Sequence, residues 1–259
     1  MTASNPSLLR DAIDVVDREI EYATDERAAF DRFRARLSNL DPTPPSAPSA
    51  TAGSGVATMP AAVATRGDPG PAAPLRTVRT AYRETVMDVP HYEAEYGDTL
   101  RASLASEFCP EVATQVTDGR QLTPPLYRAL WDGSESASDD RERFRRALER
   151  ERESLVDIAG ALADCDRRLA EIEAQIDGAA TERLSRLDDR LAALEATCAD
   201  LAEERQSLVH GRPDVHLSGV AGTSLVTFLY GEFETRCPAL SAVADRLQRI
   251  RADRTRCLR

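Results

Sequence analysis

Three histidines, His91, His210 and His216, are the only imidazoles in the chain, and His91 stands four residues before Glu95. On a helix that spacing puts two metal-binding side chains on one face. Two ligands do not make a site, and no Cys or further His lies near them in sequence. With Tyr92 and Tyr96 alongside, the stretch reads as a structural histidine in an aromatic core. An enzyme centred on His91, Glu95 and Tyr96 is therefore the weakest functional reading.

Other chemistries are excluded by what the chain lacks. Its 33 basic residues are all Arg. Without Lys there is no phosphate-loop lysine, no Schiff base and no kinase phosphate lysine. The segment from Gly219 to Ser224 is rich in glycine but lacks that lysine, and reads as a loop entering a helix. No HExxH, GxSxG or EF-hand pattern occurs. The five cysteines (Cys109, Cys165, Cys198, Cys237 and Cys257) are widely spaced and form no CxxC. Neither a zinc knuckle nor a disulfide framework is expected, and a reducing cytoplasm is the simplest setting. Neither a cofactor nor catalysis is expected.

Positive charge gathers at the C-terminus, where Arg246, Arg249, Arg251, Arg254, Arg256 and Arg259 face only Asp253. One reading is an anion contact to phosphate or nucleic acid, carried by Arg246, Arg249, Arg254 and Arg256. The other is a solvated helix end whose cations complement the macrodipole. The second is preferred, because molar salt strips most counterion-release affinity from such a patch. The run from Arg141 to Glu153 alternates in sign and reads as a solvated face.

Molar salt is itself an inference. The formal charge is −11 and charged residues make up 30% of the chain. A Lys-free acidic surface repels itself unless screened. At about 1 M salt the Debye length is only ~3 Å, so the repulsion is largely removed. Met1–Ser7 has no basic stretch followed by an apolar one, so no secretory leader is expected. Val215–Gly231 is too short and polar for a membrane span.

Aromatics are only 5%, which suits long amphipathic helices better than one large core. Asn5-Pro6 is a good helix start. Leu9, Ile13, Val16, Ile20, Ala23, Arg27, Phe30, Arg34 and Leu37 then step by fours and threes, predicting a separate amphipathic helix over 5–40. Residues 41–74 are dominated by Pro, Ala, Ser, Thr and Gly and read as a disordered linker. Residues 76–132 hold Tyr82, Tyr92, Tyr96 and Trp131 among Pro-punctuated helices, a head module.

The strongest periodicity spans 138–210, opened by Ser138-Asp139-Asp140. Phe144, Leu148, Glu151, Leu155, Ile158, Leu162, Cys165, Leu169, Ile172 and Ile176 keep strict spacing. After Asp177-Gly178 the pattern resumes one residue out of phase as Leu184, Leu187, Leu191, Leu194, Cys198, Leu201, Arg205 and Leu208. A slip at Asp-Gly predicts an antiparallel coiled-coil hairpin. Folding there sets Cys165 against Leu194 and Leu162 against Cys198. It also brings Glu151 and Arg205, the only charged seam residues, into neighbouring layers. Two readings stay open for them: a semi-buried ion pair that sets register, or two side chains that snorkel outward. Cys165 and Cys198 read as small apolar seam residues with backbones too far apart for an unstrained bridge. A hairpin returns the chain to its open end, so residues 214–259 are expected to pack with the head, through Leu225, Leu229 and a helix bearing Leu240, Val243, Leu247 and Ile250.

Three stretches carry a resemblance: Val78 to Leu100, Leu191 to Gln206, and Leu225 to Phe233 followed by Pro238 to Leu247. They resemble a haloarchaeal family of helical, coiled-coil-containing proteins known only as a domain of unknown function. The resemblance spans most of the chain outside 41–74. It agrees with a salt-adapted cytoplasm and implies no activity or catalytic residue.

The expectation is thus an all-α protein: an antiparallel helical hairpin as stalk, a small helical head and a separate N-terminal helix. It is expected to act without catalysis, through coiled-coil contact with itself or an unknown protein partner, and not at a membrane. The alternative is a nucleic-acid-associated regulator using the Arg-rich C-terminal helix.

Overall fold

A computed structural model describes residues 6–42, 72–210 and 224–258. Most of the expected linker, the Asn5 cap, His216 and the glycines of the 219–224 loop lie outside them. Among the described residues there are helices, turns and loops, and no strand. The long helices are α1 (Pro6–Leu37), α6 (Pro124–Ile176), α7 (Thr181–His210) and α9 (Pro238–Cys257). The short ones are α2 (Ala73–Arg83), α3 (Tyr92–Glu95), α4 (Leu100–Glu107), α5 (Pro110–Asp118) and α8 (Leu225–Tyr230). The chain divides into two compact units, Tyr22–Glu142, and Met1–Glu21 with Arg143–Arg259.

In the Tyr22–Glu142 unit the end of α1 supplies Phe30, Phe33 and Leu37 to a core shared with Leu75, Val78, Tyr82, Leu104, Val116, Leu122, Leu126 and Leu130. The Phe33 and Tyr82 rings meet edge to face at 5.2 Å, and the Tyr82 hydroxyl is satisfied by Ser103 at 2.9 Å. Local chemistry ends and starts the short helices. Gly97, with φ +56°, takes the left-handed turn after α3 that a side chain would resist. The Thr99 hydroxyl and the Cys109 sulfur accept from the first turns of α4 and α5. Arg79 donates to the Val116 and Thr117 carbonyls left open at the end of α5.

Helix α1 is long, as expected, and its apolar face is covered. Leu9, Ala12 and Val16 are as buried as Phe30 and Phe33. Its buried face is wider than the expected seam, because Ala12, Ala29 and Phe33 join it while Arg27 turns outward to Glu142. A helix covered by more than one neighbour buries a stripe broader than two positions per heptad.

Helix α6 begins at Pro124, not at Ser138. The Thr123 hydroxyl accepts from the Leu126 amide and Pro124 needs no donor partner. Asp132-Gly133-Ser134 does not interrupt it. An ideal Cβ on Gly133 would lie 2.4 Å from Cδ1 of Phe108, so the missing side chain is what lets the helix approach that ring. Tertiary packing outweighs the weak helix propensity there.

In the other unit α6 and α7 run antiparallel. Gly178, at φ +77°, makes the reversal between Ile176 and Thr181. Leu155, Leu162, Leu169, Ile172, Leu187, Leu191 and Leu194 are buried between the arms. Leu208, expected in the seam, is 37% exposed. Helix α9 lies along this hairpin, and residues 238–257 belong to the hairpin's unit. Its buried face runs through Ala239, Val243, Arg246, Ile250, Asp253 and Cys257. Two charges sit in that stripe, so a purely apolar face of Leu240, Val243, Leu247 and Ile250 misplaced it by part of a turn.

Candidate functional site

The hairpin seam carries the first candidate cluster. Glu151 and Arg205 are fully or almost fully buried. Arg205 donates through both terminal nitrogens to the two Glu151 oxygens, at 2.7 and 2.9 Å, and also to Ser154 at 3.1 Å. The Tyr230 hydroxyl of α8 gives Glu151 a third hydrogen bond at 2.6 Å. Burial lowers the Arg205 pKa, but the hydrogen bonds and charge of Glu151 outweigh it and hold the guanidinium above its ordinary value. A buried carboxylate so surrounded is satisfied by groups of its own unit. Tyr230 was not legible as a partner, since it ends an apolar run that reads as core.

Further towards the turn, Leu162, Cys165, Leu194 and Cys198 are all buried, and the cysteines are free thiols. Their sulfurs lie 3.7 Å apart.

The arginines of α9 are paired within their own unit. Arg246 donates to Asp166 at 3.0 Å and Arg249 reaches Asp166 and Glu173. Arg254 bridges Asp188 and Glu195, both at 2.8 Å, and Arg256 bridges Asp253 and Asp177. The helix therefore presents its positive charge to the acidic flank of the hairpin.

A second buried network lies in the Tyr22–Glu142 unit, and composition gave no hint of it. Glu26 accepts from His91 Nε2 at 2.9 Å, Tyr96 Oη at 2.7 Å and Arg141 Nε at 3.0 Å. Arg141 also donates through both terminal nitrogens to Glu107, at 2.7 and 2.9 Å, and its guanidinium lies 4.9 Å from the centre of the Phe30 ring. The His91 ring stacks on Tyr22 at 3.9 Å. Burial raises the Glu26 pKa, but His91, Arg141 and Tyr96 together hold it below the ordinary carboxylate value. For Glu107 burial wins over Arg141 and the carboxyl is pushed up. Tyr96 is raised by burial and by Glu26, so its phenol stays a donor.

This network bears on two expectations. Arg141 and Glu151 head for the interior, so the Arg141–Glu153 run is not uniformly a solvated face. His91 is buried against Glu26 of α1, whereas Glu95 is exposed. Among the described residues no three His, Cys, Asp or Glu side chains gather as a metal site. Both charged networks fasten helices together.

A groove of about 530 Å³ lies on the hairpin's unit, between Asp17 and Ile20 of α1 and Glu149, Arg152, Glu153, Val156 and Asp157 of α6. Arg152 crosses it to Asp17. Val156 stands on its wall 42% exposed, an apolar side chain ringed by carboxylates.

A family model described as Domain of unknown function (DUF7260) matches residues 7–254. The chain belongs to that family. No curated protein and no solved structure matches it. No described helix is long and apolar enough to cross a membrane.

Proposed function

We propose that this member of the DUF7260 family acts without catalysis of its own, through coiled-coil-like contact with a second copy or a helical protein partner in a high-salt, haloarchaeal-type cytoplasm. The observation that carries the reading is the α1–α6 groove. Ile20 and the exposed Val156 offer an apolar stripe, flanked by Glu149, Glu153 and Asp157. A helix with a spaced apolar ridge and basic residues on either side fits such a surface. The Lys-free composition and the charge of −11 support the saline setting.

The rival reading, nucleic-acid contact through Arg246, Arg249, Arg254 and Arg256, is disfavoured by the pairing of those side chains. Each guanidinium would first have to leave its own carboxylate.

The test is sedimentation velocity of the full chain in molar salt, with co-purification from the source organism. A larger species, or a retained protein, that is lost on Val156→Arg supports the proposal. A monomer at every concentration that retains no protein overturns it.

A further inference from the structure

The seam holds a pair of groups that the interaction reading does not use. Cys165 on α6 and Cys198 on α7 are 2% and 0% exposed, and their sulfurs face each other at 3.7 Å. Leucines and isoleucines fill most other layers of this hairpin, so two facing thiols are a chemical exception in it. Buried cysteines are ordinarily inert, small apolar fillers. Two features of this layer argue otherwise.

The first is contact. A disulfide requires sulfurs about 2.05 Å apart, so closure from 3.7 Å needs an approach of roughly 1.7 Å. The second is Arg246. This guanidinium is 4% exposed, binds Asp166 and the Ala242 carbonyl, and leaves a buried Nε–H with no acceptor. Its charge acts on both thiols in the direction that favours a thiolate. Asp166 opposes that effect more strongly at both sulfurs, and it is itself held by Arg246 and Arg249. The hydrogen bond from Cys198 holds the Cys165 thiol below its ordinary value, while the same contact and burial push Cys198 up.

We infer that Cys165, Cys198 and Arg246 form an oxidisable dithiol site that a small hydroperoxide converts into a disulfide across the hairpin. Cys165 is the attacking sulfur. Its thiolate attacks the hydroperoxide, an S–O bond forms as the O–O bond breaks, and the departing oxygen leaves as an alcohol or water after taking a proton. Cys198 then attacks the Cys165 sulfur, the S–O bond breaks, and the Cys198 proton leaves with the hydroxide as water. Two thiols and one hydroperoxide give one disulfide, one alcohol (or water) and one water. The bridge ties α6 to α7 and makes the hairpin's opening redox-dependent.

The experiment exposes the reduced, folded full chain to hydrogen peroxide, blocks remaining thiols with an alkylating reagent, and maps the products by mass spectrometry. The expected product has lost two hydrogens, joins the peptides holding Cys165 and Cys198, and returns to the dithiol on reduction. Its denaturant midpoint rises and falls back with reductant. Cys165→Ser abolishes the bridge, and Cys198→Ser stops at an oxidised Cys165. Arg246→Gln slows bridge formation about tenfold, whereas Arg246→Lys, which keeps the charge, retains most of the rate. The inference is overturned if both thiols survive until the chain is unfolded. It is equally overturned if oxidation maps to Cys109, Cys237 or Cys257 alone, or if Cys165 is over-oxidised without a bridge. An unchanged rate in folded Arg246→Gln removes the arginine from the site.

Discussion

Arg205 of α7 grips Glu151 of α6 through two hydrogen bonds of 2.7 and 2.9 Å in the buried interior of the hairpin, and the Tyr230 hydroxyl donates to the same carboxylate. The pair lies far from the turn, where a helix hairpin is freest to slip by a heptad. Only one register brings these two charges together. Such a pair acts on specificity more than on stability.

Glu151→Leu or Arg205→Leu alone is expected to destabilise the chain by about 3–5 kcal/mol, because each leaves a buried charge without its counterpart. The double substitution should recover much of that loss. Denaturant unfolding of the four proteins in molar salt gives the coupling directly. A coupling near zero would show that the two side chains do not act as a pair.

The two carboxylates on Arg141 set opposite pH dependences. Glu26 is held below its ordinary value of 4.5, so its contribution is present above that pH and is lost as pH falls further. Glu107 is raised, so ionising it costs stability, and acidification just above 4.5 returns some. Glu26→Gln should therefore flatten the loss of stability below pH 4.5. Glu107→Gln should remove the gain on its upper side. Thermal melts from pH 3 upward, in steps of about half a unit, resolve the two windows.

Two glycines of α6 predict opposite outcomes from one substitution. Gly160 meets nothing within 4 Å of an added Cβ, so Gly160→Ala is expected to stabilise by up to about 1 kcal/mol. At Gly133 the same carbon strikes the Phe108 ring, and Gly133→Ala should cost about 1–3 kcal/mol. Paired denaturant midpoints decide it, and a stabilising Gly133→Ala would place the α4–α6 contact elsewhere.

Helix α9 should gain affinity for polyanions only when its own carboxylates are removed. The unmodified chain is expected to retain no DNA even at low salt. Asp188→Asn combined with Glu195→Gln frees Arg254 and Arg251, and a weak, salt-sensitive retention should follow. Filter binding across salt reads both. Tight binding by the unmodified chain would restore the nucleic-acid reading.

The helical class, the hairpin and its turn were legible because periodicity and an Asp-Gly break are local signals. The leucines between Leu155 and Leu194 needed only spacing to be assigned inward. Where a helix starts was less legible: Gly133 looks like a break until Phe108 is seen to need the space. Charged residues were least legible. Arg141 and Glu151 sit in a run whose alternating signs look like a surface, and their burial depends on Glu26, Glu107 and Arg205 from distant parts of the chain. The same holds for Arg246 and Asp253 within the buried stripe of α9.

Sequence alone therefore determined the helices, their apolar faces and the acidic, lysine-free surface, because these follow from residue type and from a repeat of three and four. Only the tertiary structure decided which charges go inside, and that α9 spends its arginines on the hairpin. It also decided that two cysteine sulfurs meet. Each of these depends on partners brought together by folding, and a carboxylate or thiol carries no local mark of the neighbour it will find.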